Sequence, residues 1–440
     1  MNRLVFFVFI LISTVIYSKA NRLHVHDKLV RLEPSTDEHI RYLQNLEQYT
    51  SLDFWTEIIG PNKPIDVHIK ANEYDQYISQ FQEYSLPFSV LVDDLQKIID
   101  DEQQQLAADY LIRQTKSLLL GQTKVDIVGT YASYDDIVTF IQDKAKADPT
   151  HINVINIGNS HEGRPINILS IQFNPSSTRN IWIDCGIHAR EWITPATCVW
   201  MVDKLIQDYN NNEPAVVDLL NYWTVYIAPV LNPDGYQFTR TNDRLWRKNR
   251  RNNNYLGCYG VDLNRNYPIK WMTGGASNFA CSETYGGSSA QSEIETQNVV
   301  NFLNAKKGTW DMYMSFHSYG QLWLLPYGYG NSFPPNYQKQ VAAAQKGTDA
   351  IKVVNASRTY TTGTIANVLY IASGSTVDWA YDGLDIPYSA TIELPPTQSG
   401  SSNGFILPPE QAPGVCHEAY VGMIAFLAEV KNEVSRTLNG

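Results

Sequence analysis

His188 and Glu191 lie three residues apart in the stretch DCGIHAREW, Asp184 to Trp192, directly after the apolar run Ile181 to Ile183. A neutral imidazole and a carboxylate on one tight turn are donors of the kind Zn²⁺ takes, and a catalytic zinc uses three protein ligands with a fourth position left open. The third ligand must then come from elsewhere in the chain. Taken alone the pair is weak evidence, because a hydrogen-bonded loop histidine explains it as well. Two further residues change the weighing. His317 closes the run Met312 to Phe316, and Glu393 closes Thr391-Ile392, so all three positions follow segments that read as buried strands. In open α/β sheets ligands gather beyond the carboxyl ends of the strands.

The elements that must position these residues follow from patterning. Ser133 caps a helix with Asp135 and Asp136 in its first turn. Residues 152–157, 166–172, 181–184 and 224–230 read as strands. Thr194-Pro195 opens a helix running to about residue 210, with Thr194 as cap and the proline at the first helical position. Further helices are expected at 289–305, 335–354 and 409–438. Strands alternating with long helices argue an α/β domain: a mixed sheet with helices on both faces.

Residues 22–108 read differently, as strand, helix, strand, strand, helix, strand and a long acidic helix at 93–110, the pattern of a small α+β split βαβ (ferredoxin-like) unit. Residues 21–123 hold 17 acidic against 9 basic side chains, so this unit could lie as an electrostatic lid over an arginine-rich cleft. His24 and His26 resemble a metal pair, but alternate residues on a short strand near the start are expected to be surface side chains. The junction 111–124 offers Arg113, Lys116 and Lys124 to a trypsin-like protease.

A chain of 440 residues exceeds one compact core, which agrees with two units. Residues 1–20 carry Arg3, the apolar run Leu4 to Ile12 and Ser18-Lys19-Ala20, the layout of a secretory signal peptide. The expected protein is therefore secreted and extracellular, with no membrane span. A net charge of -11 argues against nucleic acid as a partner. In an oxidising compartment Cys185 pairs with Cys198, which flanks the same stretch, and Cys258 pairs with Cys281 across an Asn, Gly and Ser-rich loop. Cys416 is left as a buried thiol.

Six motifs now stand in order: DCGIHAREW, RLWRKN from Arg244, GVDLNRN from Gly260, FHSY from Phe316, LYIASG from Leu369 and IEL from Ile392. Together they resemble the pancreatic-type zinc carboxypeptidases, from about residue 125 to the end, and the preceding unit looks like the pro-segment of their zymogens. The resemblance implies one Zn²⁺ on His188, Glu191 and His317, with Asp262 orienting a ligating imidazole. It implies Glu393 as the base that activates water and Arg247 as the cation facing the oxyanion. Arg265, with Asn264 beside it and Tyr370 closing over, matches a clamp for the free α-carboxylate; a guanidinium binds a carboxylate through two parallel hydrogen bonds. Arg190, Arg244 and Tyr319 resemble outer subsite contacts. Lys248, Arg250 and Arg251 are expected on a solvated loop face.

Val377 stands where the family separates types, and an aliphatic side chain there implies release of aliphatic or aromatic C-terminal residues, the A-type preference. Ser375 replaces a glycine common in the family and is expected to make that pocket shallower. The expected organisation is signal peptide 1–20, pro-segment 21–116 with its boundary within 113–124, and catalytic domain 117–440. Expected partners are peptide and protein C-termini, a trypsin-like activating protease and proteinaceous carboxypeptidase inhibitors, for a digestive monomer.

Overall fold

The computed structural model describes residues 23–56, 58–397 and 403–439. The expected signal peptide lies outside them. Strands Lys28–Leu32 (β1), Asp53–Phe54 (β2), Ile65–Ile69 (β3) and Phe88–Val92 (β4) form an antiparallel sheet in the order β2-β3-β1-β4. Helices Asp37–Tyr49 and Tyr74–Glu83 pack against it. Thr36 caps the first by accepting from the His39 amide, with Asp37 and Glu38 complementing its positive end. This is the α+β unit expected from patterning. β2 has only two residues, not the run Phe54 to Ile58 that the apolar pattern suggests, because the chain leaves the ladder at Trp55, where the Trp55 and Thr56 amides both donate to the Asp66 carbonyl.

A second sheet has eight strands in the order β13-β12-β14-β11-β7-β8-β6-β5. These are Ile152–Asn159 (β5), Pro165–Ile171 (β6), Arg179–Asp184 (β7), Trp223–Ala228 (β8), Trp310–Gly320 (β11), Leu322–Leu325 (β12), Thr361–Thr364 (β13) and Tyr388–Thr397 (β14). A small hairpin, Asn252–Tyr255 (β9) and Cys258–Tyr259 (β10), stands apart and carries Cys258. The centre, β14-β11-β7-β8, is parallel, and both edges contain antiparallel pairs. Central strands covered by helices on both faces must be apolar throughout. Accordingly β8 and β11 are buried along their whole length, and two apolar clusters fill the two sides. One cluster receives helices Ile193–Asn210, Tyr337–Val354 and Ala412–Asn439; the other receives Ile294–Asn304. No described helix is long and apolar enough to cross a membrane.

Two boundaries differ instructively. The helix expected to open with Thr194 as cap begins at Ile193, because the Thr194 amide bonds to the Glu191 carbonyl; the Thr194 hydroxyl instead accepts from the Gly186 amide and pins the turn that carries His188. The acidic helix expected to end at Tyr110 runs from Leu95 to Leu119, so the expected 116/117 junction falls inside a helix. Its residues between Leu111 and Leu119 are mostly good helix formers whose exposed apolar side chains break the amphipathic period without stopping the helix.

Candidate active site

β7 delivers Asp184, and the chain turns sharply at Gly186, whose φ of +64° is open to glycine at little cost. The turn presents His188 and Glu191 above the sheet, and the Cys185–Cys198 disulfide ties it to the following helix. β11, next to β7, delivers His317. In register beside His317 on β14 stands Glu393, and parallel neighbours project to the same face. Residues 129 positions apart are thereby brought within contact: the Nδ1 atoms of His188 and His317 face each other at 3.2 Å. His188 Nδ1 is 2.8 Å from Glu191 Oε1, and His317 Nδ1 is 3.4 Å from Glu191 Oε2.

Three electron-pair donors thus converge within reach of one cation, and all three residues are buried. The far side of each ring is anchored. His188 Nε2 is 3.1 Å from Asp262 Oδ1; His317 Nε2 is 3.2 Å from Ser315 Oγ, which donates to Asp184 at 2.6 Å. Such outer bonds set the tautomer of a ligating imidazole. Burial raises the Glu191 carboxyl, but His188 and His317 outweigh it and hold the group below the usual carboxylate range. These donors fit zinc: two imidazoles and a carboxylate, with the outer nitrogens already occupied.

Asp262 joins the metal-type cluster to Arg247. Its Oδ2 accepts from Arg247 at 2.9 Å and 3.2 Å. Burial pushes its carboxyl up, but Arg247, His188 and Arg265 hold it well below the usual range. It also accepts from the Asn264 amide and so caps the short turn Leu263–Arg265. Arg265 donates Nε to the Gly275 carbonyl at 2.8 Å and hydrogen-bonds the Tyr370 hydroxyl. Asn264 Oδ1 accepts from the Thr376 amide at 2.9 Å, which ties the arginine turn to the segment bearing Val377. Gly374 sits between them: a β-carbon there would lie 2.4 Å from the Arg265 carbonyl oxygen, so only glycine permits the approach.

Val377 is buried among Leu322, Leu324, Ile365, Leu369 and Ala372, with Ile59 of the N-terminal unit packed against the group. Ser375 caps Thr376–Asp378 by accepting from the Asp378 amide. Asp378 lies behind Gly328, accepting from the Gly328 and Tyr329 amides, and burial pushes it up to about 7 despite them.

Arg190, Arg244 and Tyr319 stand on the other side, under the N-terminal unit. Arg190 meets Asp53 at 2.7 Å and 2.9 Å, and its guanidinium lies 4.0 Å above the Phe405 ring. Arg244 meets Glu102 through two hydrogen bonds, 2.6 Å and 2.9 Å, and Tyr319 packs on Phe405. The acidic unit therefore covers the cleft through specific carboxylate–arginine pairs. Glu283, which the linear pattern offered no reason to single out, is half-buried in the same interface near Lys248, Asp53, Arg190 and Arg247.

Three expectations about polar side chains need correction. Lys248 is buried and donates to the Ala280 and Ser282 carbonyls. Arg250 stacks on Phe238 and Trp246, and Arg251 pairs with Glu293, so only part of that run is solvated. His24, expected at the surface, is buried on a turn rather than a strand; His26 alone is exposed. Of the cleavage candidates, Arg113 is held by Asp109 and by the Val128 carbonyl, Lys116 lies within the helix, and Lys124 lies beyond it in irregular backbone, paired with Asp143. Cys258 and Cys281 are joined, and Cys416 is a buried thiol.

A buried imidazole–carboxylate cluster above the sheet, arginines beside it and an acidic unit over the cleft are the layout of a metallopeptidase zymogen. The zinc carboxypeptidase family matches residues 137–422 and the carboxypeptidase activation peptide matches residues 30–102, and the chain belongs to the zinc carboxypeptidase family. It is 36% identical over 412 residues to mouse (Mus musculus) carboxypeptidase A6, covering 92% of this chain and 90% of the relative. It is 33% identical to bovine (Bos taurus) carboxypeptidase A1, covering 93% and 95%. Among solved structures, thrombin-activatable fibrinolysis inhibitor matches with a TM-score of 0.80 at 32% identity, covering 92% of this chain and 99% of that one. Carboxypeptidase A from Helicoverpa armigera matches with a TM-score of 0.83 at 27% identity, covering 93% and 98%. The protein is a metallocarboxypeptidase with an activation peptide; its cofactor is Zn²⁺, and it acts on peptide C-termini.

Proposed function

We propose that this chain is the zymogen of an A-type exopeptidase, releasing aliphatic or aromatic C-terminal residues, with zinc held by His188, Glu191 and His317. The observation that carries the reading is the convergence of both histidine Nδ1 atoms on Glu191, with Glu393 in register beside His317. Zinc bound there supplies Lewis acidity to the scissile carbonyl and to water. Glu393 takes the proton from the attacking water and passes it to the leaving amine. Arg247 faces the charge that develops on the carbonyl oxygen, in an orientation kept by its two bonds to Asp262. Arg265 and Asn264 receive the free α-carboxylate, and Tyr370 closes over it.

The uncharged lining around Val377 supports the side-chain preference, and Ile59 of the activation domain supplies an aliphatic group against that lining before the enzyme is released. Arg190, Arg244 and Tyr319 then bind residues further along the peptide once Asp53 and Glu102 have gone. We further propose a secreted, extracellular monomer of digestive role. Its signal peptide spans 1–20, its pro-segment 21–116 and its catalytic domain 117–440. Release follows a trypsin-like cut among Arg113, Lys116 and Lys124; Lys124 needs no helix unwinding. Mass spectrometry of the trypsin-treated protein reads the site. Bovine thrombin-activatable fibrinolysis inhibitor, 36% identical, was solved in complex with a tick carboxypeptidase inhibitor, and a proteinaceous inhibitor of that kind is a proposed partner here.

The test is turnover of blocked dipeptides ending in Leu, Phe, Lys or Glu after trypsin treatment, with a chelator control. Chelator-sensitive release, fastest for Leu or Phe, is expected. Faster release of Lys would overturn the assignment of Val377.

A further inference from the structure

We propose that the activation domain carries a second divalent transition-metal site, of the kind zinc takes, formed by His24, Asp27 and His68. His24 Nδ1 and His68 Nε2 each lie 2.9 Å from the same oxygen, Asp27 Oδ2. Donor atoms of the three residues fall within 4.8 Å of one another, and all three residues are buried. Among the described residues, only this group and His188, Glu191 and His317 gather in this way. The spacings are alike: 2.8, 3.2 and 3.4 Å separate the donors of the catalytic cluster.

The surroundings are those of a ligand set. His24 Nε2 lies 2.9 Å from Asp243 Oδ1, and His68 Nδ1 lies 3.5 Å from Asp53 Oδ2. Each imidazole therefore has one nitrogen toward the shared point and the other on a carboxylate, which is how proteins orient metal-ligating histidines. His188 uses Asp262 in the same way. The second oxygen of Asp27 is taken by the Ala71 amide at 2.8 Å, which leaves Oδ2 for the cluster.

Charge balance points the same way. Asp27, Asp53 and Asp243 face the two rings, and the cation paired with this group is Arg190, on Asp53. With neutral imidazoles two negative charges stay uncompensated around two buried rings, Asp27 buried and Asp53 and Asp243 partly so, which is unfavourable. One divalent cation neutralises them, and so do two protons, one on each ring. Burial opposes protonation, but the bonds to Asp243 and Asp27 raise His24 to about 9, so a bound metal displaces protons. Because Asp243 belongs to the catalytic unit, the site is complete only while the activation domain is docked, and a metal there fastens the zymogen.

Full-length zymogen is stripped with chelator, reloaded with zinc chloride, desalted and its zinc counted per chain. Two zinc ions are expected in the wild type, one in His188→Ala/His317→Ala and one in His24→Gln/His68→Gln. A folded His188→Ala/His317→Ala zymogen that holds no zinc would overturn the proposal, and its one remaining ion would support it whatever happens at the catalytic cluster. Should the variants misfold, anomalous scattering at the zinc edge from wild-type crystals decides: a peak between His24 and His68 supports the site, and its absence means protons occupy the cluster.

Discussion

Replacing Glu102 by Gln keeps the shape of that side chain and removes its charge. In the zymogen Arg244 donates Nε and Nη2 to the two oxygens of Glu102, and both side chains are 1% exposed. Deleting one charge of a buried pair costs ~3–5 kcal/mol, because the remaining ion is left uncompensated. Arg244 keeps its bonds to the Arg190 and Phe405 carbonyls and its stacking 3.7 Å from the Trp192 ring centroid, so the lower end applies. About 3 kcal/mol, at ~1.4 kcal/mol per tenfold, shifts the docked-to-open equilibrium by about 10²-fold. The readout is turnover of a blocked dipeptide by uncut protein. Glu102→Gln is expected to hydrolyse it about 10²-fold faster than the wild-type zymogen, up to the rate of the trypsin-activated enzyme. Equal basal rates, with both proteins still activated by trypsin, would refute the view that this ion pair holds the cleft shut.

Other perturbations separate the roles of single residues. Glu393→Gln is expected to lower kcat by ~10²–10⁴-fold with zinc content unchanged, by the usual worth of a general base; unchanged turnover would place the base elsewhere. Val377→Asp is expected to raise kcat/KM for peptides ending in Lys and lower it for Leu, by competition assay. Asp378 is pushed up to about 7 by burial, so the folded chain holds that proton more tightly than the unfolded one does. Stability contributed by the protonated carboxyl is then lost as pH rises from about 4 to about 7, and Asp378→Asn should flatten that slope in denaturant titrations.

What the linear chain reveals depends on how local the cause is. His188 and Glu191 are legible because one tight turn supplies both, and the apolar runs before His317 and Glu393 mark strands, although neither residue ends its strand: β11 continues to Gly320 and β14 to Thr397. Their convergence depends on β11 lying between β7 and β14, which no local pattern specifies. Lys248 looked solvated because the carbonyls that bury it, at Ala280 and Ser282, come from a loop more than thirty residues on. His24 misled for the same reason: its partners Asp243 and Asp27 span both units. The extension of the long helix through Lys116 is hard to read from the chain because its apolar side chains face solvent, so the period that signals a helix fades while helix propensity does not. Arg247, Asp262 and Arg265 are candidates the linear chain can offer because each sits in a contiguous motif.

The central claim is that three side chains, two from the turn after β7 and one from β11, hold one zinc ion that the activated enzyme needs. The most direct measurement is reconstitution of the activated, chelator-stripped enzyme with zinc. Release of C-terminal Leu should return in proportion to zinc up to one ion per chain, and His317→Ala should neither bind that ion nor recover. Full activity in the stripped enzyme, or stoichiometric zinc binding and recovery in His317→Ala, would contradict the account.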